Sequence, residues 1–207
     1  MSQKQTSRPD KEIYIAHHQE QLTRWGDSVR AVGYGSIESQ QVRYSVLSEI
    51  GSFEGRDVLD VGCGFGDFFC FINRKGGHLK SYVGVDVNPN MIAIAKKRCP
   101  NAVFEVKDIL EAPVVNKFDF VIASGIFGLE TPNWEEIFKK MTTRMYELSK
   151  IGVSVNFLSA FTPGKKPADS HFADPIEITD FVLRNLSTKV VLRHDYKPND
   201  FTLYIYV

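Results

Sequence analysis

Arg56-Asp-Val-Leu-Asp-Val-Gly-Cys-Gly-Phe-Gly-Asp-Phe68 is the stretch from which the fold is read. Val58, Leu59 and Val61, interrupted only by Asp60, form a short apolar run of the kind buried on both faces of a parallel sheet. Gly62, Gly64 and Gly66 follow at alternate positions, and Phe68, Phe69, Phe71 and Ile72 then recur at helical spacing. Strand, glycine turn and helix in that order let backbone approach a ligand closely, because a Cβ would collide with it or forbid the backbone angles. The spacing narrows the ligand. A dinucleotide fingerprint needs its third glycine where this chain has Asp67. Asp60, at the end of the strand, would repel a pyrophosphate and welcome a cationic amino group.

The pattern D-x-G-x-G-x-G over Asp60–Gly66 resembles motif I of the class I S-adenosylmethionine (SAM) dependent methyltransferases. Downstream, apolar runs and helical patterns alternate. Strands are expected at Tyr82–Asp86, Ala102–Val106, Phe118–Ala123 and Ile151–Phe157, with helices at Asn88–Arg98 and Trp134–Leu148 between them. Asp174-Pro175 starts a helix running through Leu186, with proline in its first turn. Lys189–His194 and Phe201–Val207 close the chain as two strands joined through Pro198-Asn-Asp. The expectation is an α/β, doubly wound, mostly parallel seven-stranded sheet with an antiparallel C-terminal strand. Ahead of it, Asp10 is a candidate N-cap for a helix to Trp25, with Ile13, Leu22 and Trp25 among its apolar positions. Ser36 can cap a second helix carrying Ile37, Val42, Val46, Leu47 and Ile50. One domain over residues 1–207 is expected, with 1–10 disordered, 11–50 a helical cover and 51–207 the Rossmann-like core.

In open α/β sheets ligands lie beyond the carboxyl ends of the strands, near the point where strand order reverses. Asp86 ends the second strand and suits a ribose diol, because a carboxylate accepts hydrogen bonds from both hydroxyls. The resemblance implies the remaining roles. Asp60, Gly62, Cys63, Gly64 and Gly66 would take the methionine portion of the cofactor. Val87 and Met91 would pack on the adenine, if they are not simply core residues. Asp108 would hold the adenine amino group, and Ile109 would offer a backbone N–H to the ring edge. Ser124 and Gly125 would touch both cofactor and acceptor. Trp25-Gly-Asp27 and Tyr34-Gly-Ser-Ile-Glu-Ser-Gln-Gln-Val-Arg43 resemble the N-terminal segment of a bacterial subgroup of small-molecule methyltransferases. Tyr14, Trp25, Tyr34 and Arg43 are therefore expected in a lid, with Arg43 as a fixed cation and Phe127 at the acceptor.

Composition narrows the partners. Twenty-five Lys plus Arg balance twenty-five Asp plus Glu, so no global basic field points to nucleic acid. Ser124-Gly-Ile-Phe127 lacks the prolines of amino-methyltransferases that act on flipped DNA bases. Cys63, Cys70 and Cys99 have no metal spacing and are expected as reduced cytosolic thiols. No apolar run reaches the ~20 residues of a membrane span, and a cytoplasmic protein is expected. A small-molecule acceptor is expected, with the oligomeric state open between monomer and dimer. His17, His18, His171 and His194 are the candidate general bases, none with a sequence-adjacent partner to orient it. Competing readings are a SAM- or nucleoside-binding module without turnover, and NAD-dependent or aminopropyl-transferring enzymes of related fold.

Overall fold

The computed structural model describes residues 9–111 and 116–207. In chain order it builds α1 (Pro9–Trp25), α2 (Ile37–Ser48), β1 (Asp57–Val61), α3 (Asp67–Arg74), β2 (Ser81–Asp86), α4 (Pro89–Arg98) and β3 (Val103–Val106). There follow β4 (Phe118–Ala123), α5 (Trp134–Leu148), β5 (Ser149–Leu158), α6 (Pro175–Asn185), β6 (Val190–Lys197) and β7 (Asp200–Tyr206). The seven strands form one sheet in the order β3-β2-β1-β4-β5-β7-β6. The pairs from β3 to β5 are parallel, and β7 lies antiparallel to both β5 and β6. This is the doubly wound sheet expected from the strand–helix alternation.

Register decides what sits at the carboxyl edge. Val61 pairs with Val85 and Ala123, and Ala123 pairs with Val155. The next residue on each strand, Gly62, Asp86, Ser124 and Asn156, therefore stands on one level along that edge. Strand order reverses between β1 and β4, which is where such a sheet opens a crevice.

Alternating side chains feed two cores. Leu59, Val61, Val121 and Ala123 pack with α5 and α6, whereas Val58, Phe120 and Ile122 pack with α2, α3 and α4. Side-chain caps sit where their chemistry predicts: Ser36 accepts from Ser39 N–H, Asn88 from Asn90 N–H, and Asp174 from Ile176 N–H.

Three expectations change. Residues 1–8 lie outside the described residues, while Pro9 and Asp10 already belong to α1, so Asp10 sits inside the first turn and not at a capping position. Of the apolar positions expected on α1, Leu22 packs against the cluster of Ala31, Phe65 and Met91, whereas Ile13 and Trp25 are exposed, because the helix covers the crevice and turns Tyr14, His17, His18 and Gln21 toward it. Cys70 and Cys99 are not free thiols. They form a disulfide between α3 and the C-cap of α4, and Cys63 alone is a free, buried cysteine. No described helix is long and apolar enough to cross a membrane.

Candidate active site

A cavity of about 370 Å³ opens at the carboxyl edge of the sheet. It is lined by Asp60, Gly62, Cys63 and Gly64 from the end of β1, Asp86 and Val87 from β2, Met91 from α4, and Asp108 and Ile109 after β3. It continues past Ser124, Gly125 and Phe127 after β4 to Asn156 on β5. Above it lie Tyr14, His17 and His18 of α1, then Tyr34 and Arg43.

The glycine loop is shaped by backbone angles open to glycine. Gly62, Gly64 and Gly66 have φ of 70°, 51° and 75°. A Cβ on Gly62 would stand 2.3 Å from Ile126 Cγ2, and one on Gly66 would stand 2.6 Å from Phe104 Cζ. Gly66 is not on the cavity wall. It is the N-cap of α3, and its missing side chain lets that helix close on β3.

Each acid of the cavity has a defined setting. Asp60 is buried beside β2 and accepts a hydrogen bond from the Tyr82 hydroxyl. Burial pushes its carboxyl up to about 7, against the pull of that hydrogen bond, with Asp86 and Asp67 adding repulsion. Asp86 accepts Gly64 N–H at 3.0 Å and Asn88 N–H at 2.8 Å, so one carboxylate pins the glycine loop and the start of α4. Burial raises its pKa too, while both backbone bonds and His18 work the other way. Asp108 is buried and accepts Leu110 N–H at 2.9 Å, which folds the chain back after β3. Cys63 is buried in the loop, which drives its thiol pKa well up and keeps it protonated.

At the other end Ser124 Oγ lies 2.6 Å from the Tyr34 hydroxyl and 3.2 Å from Asn156 Oδ1, which also takes Gly125 N–H at 2.9 Å. Asn156 was missed in the sequence. A lone asparagine in an apolar strand has no motif, and only the alignment of β4 with β5 puts it beside Ser124.

Several sequence candidates stand elsewhere. Trp25 lies outside the cavity, its ring flanked by Arg24 and Arg30. His171 also lies outside, stacked 3.6 Å from Trp134 and held by Glu130 at 2.7 Å, so its orienting partner is 41 residues away. His194 sits between the rings of Phe161 and Phe201. His18 lies at the Asp86 end, its Nδ1 3.3 Å from Ala31 O, and burial lowers its pKa. Arg43 reaches the cavity but is not a free cation: Asp200 meets its Nη2 at 2.8 Å and its Nε at 3.0 Å.

Comparison with known proteins bears on this geometry. The family described as "Methyltransferase domain" matches residues 58–146. A Mycobacterium tuberculosis protein named "Putative methyltransferase Rv1506c" is 30% identical over 156 residues, covering 72% of this chain and 91% of its own. Phosphoethanolamine N-methyltransferase of Plasmodium falciparum is 32% identical over 116 residues, 53% of this chain and 41% of that protein. Among solved structures, magnesium protoporphyrin IX methyltransferase from Synechocystis with bound SAM superposes with a TM-score of 0.68 over 97% of this chain and 98% of its own, at 17% identity. With a relative matched along nearly its whole length, and a glycine loop and acid-tipped strands where the resemblance requires them, the chain belongs to the class I SAM-dependent methyltransferases.

Proposed function

We propose that the chain methylates a small-molecule acceptor held at the β4–β5 end of the cavity, beneath a lid made by α1 and the turn after it. The carrying observation is continuity: one cavity joins the acid-tipped strand ends to Ser124 and Asn156, and α1 passes over it. The small volume and the absence of net charge favour a small molecule over a nucleic acid.

The donor set fits the cofactor. The glycine loop has room only for backbone, and Asp60, Asp86 and Asp108 are among the carboxylates that line the cavity. Asp60 serves as counter-charge to the amino acid ammonium. Asp86 accepts the ribose hydroxyls with the lone pairs its backbone donors leave over. Asp108 and Ile109 would hold the adenine edge, and Val87 and Met91 would give it apolar contact. Bound there, SAM supplies a methyl carbon already activated by its sulfonium. The protein's part is alignment and exclusion of water.

Side-chain contacts tie the lid down. Lys11 Nζ meets Glu111 at 2.7 Å, Asn90 donates to Gln19 Oε1 at 2.6 Å, and Arg98 pairs with Asp27 at 3.2 Å. These bonds are partly exposed and each contributes about 1 kcal/mol or less, as suits a cover that must open. Pooled metabolites, tRNA and DNA offered to the full-length protein with SAM test the proposal. Consumption of SAM with a metabolite pool supports it. Methylation confined to the nucleic acids contradicts it.

A further inference from the structure

The cavity is electrically lopsided. Asp60, Asp86 and Asp108 gather at the β1–β3 side, while the β4–β5 side presents Tyr34, Ser124 and Asn156 beside Phe127, Leu129 and Leu158. The hydrogen bonds there run in one direction. Ser124 spends its proton on Asn156 Oδ1, so Tyr34 is the donor in its 2.6 Å contact with Ser124 Oγ. Asn156 Oδ1 is taken twice, by Ser124 and by Gly125 N–H, which leaves the amide NH2 as that side chain's remaining polar group. The Asn156 NH2 is thus an uncommitted donor toward the methyl acceptor, and the Tyr34 hydroxyl is a second one once its proton leaves Ser124. One rotation about its C–O bond turns the Tyr34 proton away from Ser124.

Positive charge stands behind the tyrosine. Arg43 Cζ lies 5.1 Å over the Tyr34 ring. Arg43 and Lys197 share the single carboxylate of Asp200 at 2.8 and 3.0 Å, two cations against one anion. Burial holds the Tyr34 phenol above its ordinary pKa, so it keeps its proton at neutral pH. Arg43 acts in the opposite sense and makes that proton a better donor. The one acid of the 169–170 rim, Asp169, is exposed, and water screens it.

We propose that Tyr34 is the positioning donor of the acceptor site, and that this site takes a small organic oxyanion, an ionised hydroxyl or a carboxylate on an apolar body, in preference to an amine. This rests on the small-molecule reading above and names its substrate class. An oxyanion brings a lone pair and no proton. The O–C bond forms as the methyl's bond to sulfur breaks, the pair stays on sulfur, and nothing remains for a protein base to remove. An ammonium would have to enter beside the excess charge of Arg43 and Lys197 and then lose a proton.

The test is calorimetric, on full-length protein saturated with S-adenosylhomocysteine. The probes share a benzene ring: 4-nitrophenolate, benzoate and benzylammonium. At least one anion should bind about tenfold tighter than benzylammonium, the phenolate leading if the acceptor atom is a hydroxyl oxygen and the benzoate if it is a carboxylate. Tyr34→Phe should lose about tenfold of that anion affinity, with S-adenosylhomocysteine affinity within about twofold of wild type. A smaller preference, or one for benzylammonium, overturns the substrate class with wild-type protein alone. Unchanged anion affinity in Tyr34→Phe overturns the role of the tyrosine. Failure to bind S-adenosylhomocysteine is a separate result, and it overturns the reading on which the proposal stands.

Discussion

Asp86→Ala separates two duties of one carboxylate. In the folded chain Asp86 clamps Gly64 N–H at 3.0 Å and Asn88 N–H at 2.8 Å, and the same oxygens are assigned to the ribose. Hydrogen bonds to charged groups contribute about 1.5–3 kcal/mol each, so the two backbone bonds set an upper range of about 3–6 kcal/mol. Burial opposes this, since it raises the pKa of Asp86 and its removal relieves a desolvation penalty. The expected destabilisation therefore falls at the low end, about 3 kcal/mol, which a domain of about 5–15 kcal/mol survives. Affinity for S-adenosylhomocysteine should fall further in relative terms. Losing even one ribose bond of this class weakens binding by roughly tenfold to 150-fold. Asp86→Asn keeps one acceptor oxygen and should lie between wild type and alanine on both scales. Urea unfolding followed by circular dichroism reads the first effect, and calorimetric titration reads the second. A folded Asp86→Ala protein that binds within about threefold of wild type would refute the reasoning, because the ribose would be held elsewhere.

Asp60 makes cofactor affinity depend on pH. Its carboxyl is raised to about 7 by burial and would ionise fully beside an ammonium, so affinity should climb as pH rises to about 7 and level off above, with proton release on binding; a flat profile contradicts this. The same raised value stabilises the free protein below the ordinary carboxylate range and is lost as pH rises through about 7, so its melting temperature should decline across that window. Gly66→Ala combines a left-handed backbone, about 1–2 kcal/mol, with a Cβ 2.6 Å from Phe104, about 1–3 kcal/mol of overpacking. Gly76→Ala, with similar φ and open space, should lose only the first part, and equal losses in urea titrations would discredit the packing argument. For the lid, hydrogen exchange with S-adenosylhomocysteine should show protection spreading from Gly62–Gly66 into residues 14–34; protection confined to the glycine loop would make α1 a packing element only.

Much of this was legible because local chemistry and fold agree. The run Val58–Val61 is buried on both faces as its pattern requires, and Ser36, Asn88 and Asp174 cap the helices they precede. What stayed hidden depends on residues brought together over long separations. Arg43 was expected as a fixed cation of the lid, but its guanidinium is paired with Asp200, 157 residues on. Cys70 and Cys99 meet only in the folded chain, and nothing in their 29-residue separation marks it. The histidine-bearing face of α1 turns inward and Trp25 outward because the helix lies over the crevice, which hydropathy alone does not reveal. Asn156 becomes a site candidate only once the β4–β5 register is known.

The central claim is that the crevice between β1 and β4 is built for a sulfonium nucleoside and not for a dinucleotide. Calorimetric titration of the full-length protein with S-adenosylhomocysteine, and separately with NADH, tests it most directly. The account predicts one site of micromolar affinity for S-adenosylhomocysteine, and NADH binding at least about a hundredfold weaker because a pyrophosphate would face Asp60 and meet Asp67 where a dinucleotide loop has its third glycine. NADH binding as tight as S-adenosylhomocysteine, or tighter, would contradict it.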